Sequence, residues 1–215
     1  MQRHTFALQI KKGEVRKFRS TLGEVWPEVK RLFDTYNLRN FSLWSVDYMI
    51  FGYYESDDTF EMTEEFLAAL ETLDKRFGGC YDWISEPGKP MRLMYHFYGG
   101  VQEEKELVYK KIFVIHLHEG MADEYKRRHD GILAPPEEEY KHSSCNNFTI
   151  WNAGDYVFGY MEMDTTLGRD RSPKFQEESR EWETYMLEIM DWVTNDVDWL
   201  TGEHHSNYYC IASYK

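Results

Sequence analysis

The chain repeats itself, and no other feature constrains its fold as tightly. Slid along itself by 107 positions, Phe6 meets Phe113 and Gly13 meets Gly120. Asn40, Phe41 and Trp44 meet Asn147, Phe148 and Trp151. Phe51, Gly52, Tyr53 and Glu55 meet Phe158, Gly159, Tyr160 and Glu162. Nine identities thus fall between positions 6 and 55 without a gap. Conservative pairs reinforce them: Ile10 with Leu117, Phe18 with Tyr125, Ser42 with Thr149, Leu43 with Ile150. Two copies of one supersecondary unit are expected to fold alike and to share one way of burying their apolar faces.

Each copy reads in the same order. Phe6–Ile10 and Phe113–Leu117 have strand composition, and Gly13 and Gly120 end them. Helices are expected from Glu14 to about Leu22 and from Met121 to about Arg128. Asn40–Trp44 with Met49–Tyr53, and Asn147–Trp151 with Tyr156–Tyr160, read as hairpins around Asp47 and Gly154–Asp155. A second helix is expected from about Thr63 to Arg76 and from about Pro173 to Asp191. An aromatic strand closes each copy, Arg92–Phe97 and Asn207–Ile211. The order β-α-β-β-α-β is the ferredoxin-like arrangement, an α+β fold. It places repeat 1 at 1–100 and repeat 2 at 107–215, with Val101–Glu106 as the linker. A sheet with helices on one face leaves the other face bare. Two fused units are therefore expected to pack sheet to sheet, as a homodimer would, and the sequence leaves a further homodimer open.

Composition narrows the function. A formal net charge of −13 disfavours nucleic acid and anionic membranes as partners. No apolar run is long enough to span a bilayer. Residues 1–10 lack the apolar stretch of a secretory signal, so a cytoplasmic protein is expected. Three cysteines, Cys80, Cys145 and Cys210, have neither the parity of a disulfide framework nor the spacing of a zinc site. Glycine-rich phosphate loops and nucleophile elbows are missing too, which argues against nucleotide cofactors and serine-hydrolase chemistry.

The sharpest candidate is Tyr125 with His129. Four apart on a helix, they share a face, and an imidazole can give or take a proton near neutrality. Repeat 1 has Phe18 and Leu22 at those positions, which predicts one polar site and an apolar or filled counterpart. The competing reading is an ordinary amphipathic helix with Tyr and His at its rim. His116 and His118 share a strand face opposite Ile115 and Leu117. They could hold a metal, but no carboxylate matches their spacing, so a polar sheet face is expected and no metal. Trp182 shares a helix face with Tyr185 and Met186, as core or as a ligand platform. His204–His205 reads as surface, and the acidic run Glu137–Glu139, just after Pro135–Pro136, suits the first turn of a helix.

Tyr125–Lys126–Arg127–Arg128–His129 resembles the Tyr-x-Arg-Arg-His signature of the L-rhamnose mutarotases. Trp26–Pro27–Glu28, Asn40–Phe41, Asn147–Phe148 and Trp182–Glu183–Thr184–Tyr185–Met186 are similar to further stretches of that family. Its members are usually single units that dimerise into an α/β barrel, so this chain resembles two such units joined. The resemblance implies a cofactor-free isomerase that interconverts the anomers of L-rhamnose or a related 6-deoxy sugar. His129 and Tyr125 would be catalytic. Trp182 or Trp151 would pack the sugar, and His116 would be a secondary polar contact. The chain departs from the pattern at Phe18 and Leu22, at Leu133–Ala134–Pro135 where the family has Trp-Pro-Glu, and at Glu183 where it has a second Trp. These departures motivate one alternative, a non-catalytic sugar-binding protein; the shared fold, with His116 and the aromatics, leaves open another dimeric α/β-barrel activity, monooxygenase-like or haem-binding.

Overall fold

The computed structural model describes residues 1–100, 105–132, 145–164, 166–167, 172–194 and 207–215. Two compact units emerge, Met1–Met91 with Tyr208–Lys215, and Arg92–Asn207. Unit 1 holds β1 (Gln2–Ile10), α1 (Val15–Thr35), β2 (Arg39–Val46), β3 (Met49–Ser56), α2 (Glu64–Arg76) and β4 (Tyr81–Trp83). Unit 2 holds β5 (Arg92–Phe97), β6 (Val108–Leu117), α3 (Ala122–Asp130), β7 (Cys145–Ala153), β8 (Tyr156–Asp164), α4 (Pro173–Met186) and β9 (Met190–Trp192). The last strand, β10 (Tyr208–Tyr214), returns to unit 1. The fold is α+β: two five-stranded sheets, ordered β10-β2-β3-β1-β4 and β5-β7-β8-β6-β9. Every neighbouring pair is antiparallel. Without its outermost strand, β10 or β5, each sheet has the fourth-first-third-second order of a ferredoxin-like unit.

The closing strands correct the sequence reading. The fourth strand of each unit is the three-residue β4 or β9, too short to carry an alternation signal. The aromatic strands assigned to that role are fifth, edge strands, and each joins the sheet built by the other repeat. Arg92–Phe97 pairs with β7, and Tyr208–Tyr214 pairs with β2. Both pairings carry an irregularity at the same place, between Leu93 and Tyr95 and between Cys210 and Ala212. Tyr95 therefore stands opposite Ile150 as Ala212 stands opposite Leu43. The compact units accordingly do not end where the repeats end. Residues 101–104 of the expected linker lie outside the described residues.

The identities that reveal the repeat have physical causes. Phe6 pairs with Gly52 across the sheet, and Phe113 with Gly159. A Cβ on either glycine would stand 2.2 or 2.0 Å from its phenyl ring, so the ring occupies the space of a side chain. Asn40 and Asn147 adopt positive φ, 53° and 49°. That conformation is tolerated best by glycine and asparagine. Each asparagine sits where its strand shifts register, between Arg39 and Ser42 or between Asn146 and Thr149. Buried Tyr53 donates to Glu55 at 2.8 Å, and Asn40 donates to the same carboxylate at 2.9 Å. Tyr160 donates to Glu162 at 2.9 Å in unit 2.

The second helix of each unit starts at a side-chain cap. Thr63 accepts from the Phe66 amide and Ser172 from the Phe175 amide, with Pro173 pre-set for the first turn. Aligning the caps sets Leu73 against Trp182, Asp74 against Glu183 and Phe77 against Met186. Helix α1 outruns its expected end at Leu22 and continues to Thr35 through Pro27. Conversely, α4 stops at Met186 because Met190–Trp192 is needed for β9. One sheet face in each unit packs under the helices. Leu8, Ile10, Phe18, Phe33 and Phe41 form that core in unit 1, and Ile115, Leu117, Tyr125, Ile150 and Met186 form it in unit 2. Each such burial contributes roughly 1.5–3 kcal/mol. Among the described residues, no helix is long and apolar enough to cross a membrane.

Candidate active site

Helix α3 offers its buried face to the sheet of unit 2, and that face consists of Tyr125 and His129. They are only 2% and 5% exposed, and their rings stack with centroids 4.2 Å apart. His129 Nδ1 lies 2.9 Å from the Tyr125 carbonyl oxygen. A carbonyl can only accept, so Nδ1 carries the proton and Nε2 holds the lone pair. Among the described residues, neither that Nε2 nor the Tyr125 hydroxyl has a hydrogen-bond partner.

Two further elements close around the imidazole. Trp182 of α4 meets it edge-on at 5.1 Å, and Tyr95 of β5 lies 5.6 Å away. Tyr95 in turn packs on Phe148, and Phe148 on Phe113. Buried Glu183 of α4 accepts a hydrogen bond from the Trp192 indole.

Burial governs the proton equilibria. It holds the His129 imidazole below the usual histidine range, only partly offset by the bond to the Tyr125 carbonyl. At neutral pH the ring is therefore neutral and can act as a base. Burial, with the charge of Glu183 beside it, pushes the Tyr125 phenol well above its ordinary value. Tyr125 thus stays protonated and can only donate from its hydroxyl at neutral pH.

The two arginines between Tyr125 and His129 dock the helix. Arg128 lies 3.7 Å over the Tyr185 ring, donates to the Tyr185 carbonyl, and bonds Glu124 at 2.8 Å and Glu188 at 3.0 Å. Arg127 grips Glu124 at 2.6 Å, and these partners hold the Glu124 carboxyl down at about 2. Arg128 thereby ties α3 to α4 and keeps Trp182 facing His129.

A family model described as L-rhamnose mutarotase matches residues 3–75 and 110–207, on both repeats. The chain belongs to the L-rhamnose mutarotase family. An L-rhamnose mutarotase of Lachnoclostridium phytofermentans is 27% identical over 84 residues, 38% of this chain and 80% of that protein. No solved structure matches.

Set against the family signature, the structure brings Tyr125, His129 and Trp182 together and separates two other candidates from them. Trp151 follows Ile150, and His116 stands between Ile115 and Leu117. Those three aliphatics belong to the cluster that contains Tyr125. Strand alternation therefore turns Trp151 and His116 to the opposite face of the sheet. Trp151 is buried there, 6% exposed like its counterpart Trp44, so it belongs to the repeated framework. His116 is exposed and packs on Tyr156 at 5.1 Å. Its neighbour His118 is bonded to Asp191 at 3.2 Å. Among the described residues, no group of three His, Cys, Asp or Glu could hold a metal ion. His204, His205, Glu137–Glu139 and Leu133–Ala134–Pro135 lie outside the described residues.

The sequence conceals that Tyr95 lies beside His129. Its alternating strand was visible, but nothing local says that the strand pairs with β7. Glu183 had one signal, its place in the Trp-Glu-x-Tyr-Met stretch.

Proposed function

We propose that unit 2 interconverts the α and β anomers of L-rhamnose or a related 6-deoxy sugar without a cofactor, with His129 as the acid/base. The observation that carries this reading is the stacked, buried Tyr125–His129 pair, whose Nε2 and hydroxyl have no partner among the described residues.

Mutarotation needs one proton taken from the anomeric hydroxyl and one given to the ring oxygen. The C1–O5 bond then breaks to leave an aldehyde. Rotation about C1–C2 and reclosure on the other face, with the protons returned, complete the cycle. Both oxygens sit on one carbon, so a single nitrogen can reach each in turn. Neutral His129 Nε2 takes the anomeric proton and hands it to the ring oxygen. Tyr125, kept protonated, donates a hydrogen bond that orients one of these oxygens. Trp182 and Tyr95 offer aromatic surface to the apolar face and methyl of a 6-deoxy sugar. A positioned acid/base of this kind contributes roughly 10²–10⁴-fold. The sheet-to-sheet packing of two units as an internal counterpart of a two-chain barrel belongs to the same proposal.

Saturation-transfer NMR on equilibrating L-rhamnose reads anomeric exchange directly. Exchange above the buffer rate is expected, with other sugars in the same tube reporting selectivity. Sugar binding without any acceleration would replace this reading with the non-catalytic one.

A further inference from the structure

At the place where unit 2 holds Tyr125 and His129, unit 1 has a cavity of about 360 Å³. We propose that this cavity binds a neutral, largely apolar small molecule about the size of two aromatic rings.

The walls are mostly apolar. Leu8 and Phe41 come from the sheet, Phe18, Leu22 and Trp26 from α1, and Leu73 from α2. Phe18, Leu22 and Leu73 stand where unit 2 has Tyr125, His129 and Trp182. The cavity is partly open to solvent, and it reaches between the helices and the sheet, where close packing would ordinarily leave little room. An apolar cavity of roughly 150 Å³ takes up benzene. About 360 Å³ therefore suits two rings or a chain of similar bulk.

The polar groups at the walls set the charge of the occupant. Tyr81 donates to Asp74, so the two satisfy each other. His4 lies 2.8 Å from Ser56 Oγ, and burial lowers its pKa to about 4, so it is neutral at pH 7. At the rim Lys89 is paired with Glu86, and Glu71 with Lys75 at 2.7 Å. Among the described residues no wall cation is left to receive a carboxylate, and Glu71, Asp74 and Glu86 would repel one. A fatty-acid anion is thereby disfavoured, whereas a neutral apolar molecule meets no opposing charge. The inference concerns unit 1 alone and does not depend on what unit 2 catalyses.

The test titrates the whole chain with N-phenyl-1-naphthylamine, a neutral dye that fluoresces in apolar surroundings. Saturable binding of one dye per chain is expected, competed by decanol and far more weakly by decanoate. Leu73→Trp places in this cavity the side chain that unit 2 carries at the matching position, and it should weaken binding at least tenfold. Leu22→Trp, from the opposite wall, should do the same if Leu73→Trp fails to fold. The methyl signal of Met62, which also lines the cavity, should shift on saturation in the unmodified chain. No saturable binding, an unmoved Met62 signal, or folded variants that bind as before would each overturn the proposal.

Discussion

The two units share a framework and differ in what they enclose with it. Phe6 against Gly52 and Phe113 against Gly159, the left-handed asparagines, and the Tyr–Glu pairs recur in both. Around the first helix the copies diverge completely. Phe18, Leu22, Leu73 and Ala212 stand in unit 1 where Tyr125, His129, Trp182 and Tyr95 stand in unit 2. One set encloses an apolar cavity and the other surrounds a buried imidazole. Residues that hold the sheet together must recur wherever the sheet recurs. Residues that only line the space between helix and sheet can change without unfolding it. A duplicated chain can therefore keep its scaffold and alter one of its two sites.

The comparison breaks most readily at His129. Replacement by Asn keeps the size and one hydrogen bond but abolishes titration near neutrality. Anomeric exchange of L-rhamnose should fall by roughly 10²-fold or more, whereas Leu22→Met in unit 1 should leave the rate unchanged. Equal losses from the two substitutions would mean that both units act.

Acidification separates the units next. His4, with Lys111 at its counterpart, titrates at about 4 in the fold against 6.5 when exposed. The folded state thus binds fewer protons between these values. Unit 1 should keep its full stability above pH 6.5 and lose it steadily down to about pH 4, by up to about 3 kcal/mol. Urea melts of the unmodified chain and of His4→Phe at pH 7 and pH 4.5 check this, because the phenylalanine should flatten the decline. His129, also lowered, gives unit 2 a dependence of the same sign.

The shared framework predicts symmetry instead. Gly52→Ala and Gly159→Ala each force a methyl into a phenyl ring, and each should cost about 1–3 kcal/mol. Melts that show a large cost in one unit and none in the other would contradict a common scaffold. The smallest effect concerns Tyr125. Its replacement by Phe, the residue unit 1 already has at position 18, removes one hydrogen bond worth about 1 kcal/mol. Exchange should slow by about tenfold or less, far short of the loss at His129. A drop as large as that of His129→Asn would make Tyr125 a proton-transfer group.

Much of this was legible along the chain. The repeat showed in Asn40–Phe41 and Asn147–Phe148, the starts of the second helices near Thr63 and Pro173, and the candidate site in a Tyr and a His four residues apart. Each is a local pattern, a spacing or a cap, and local patterns reflect local backbone geometry. Helix α1 runs past its expected end at Leu22 to Thr35 and accommodates Pro27 in its interior. Strands β4 and β9, at three residues each, offer no period to detect.

Sequence alone determined that two like units would form and that only one would carry Tyr125 and His129. Tertiary structure alone decided which sheet receives Arg92–Phe97 and Tyr208–Tyr214, and so that Tyr95 rather than Trp151 or His116 faces His129. Strand pairing is made by backbone groups that every residue possesses, so an edge strand carries no label for its partner. Phe18 and Leu22 pointed to an apolar counterpart in unit 1, but whether it would be open or filled was hidden. A volume is what remains after distant side chains have packed, and no single residue encodes it.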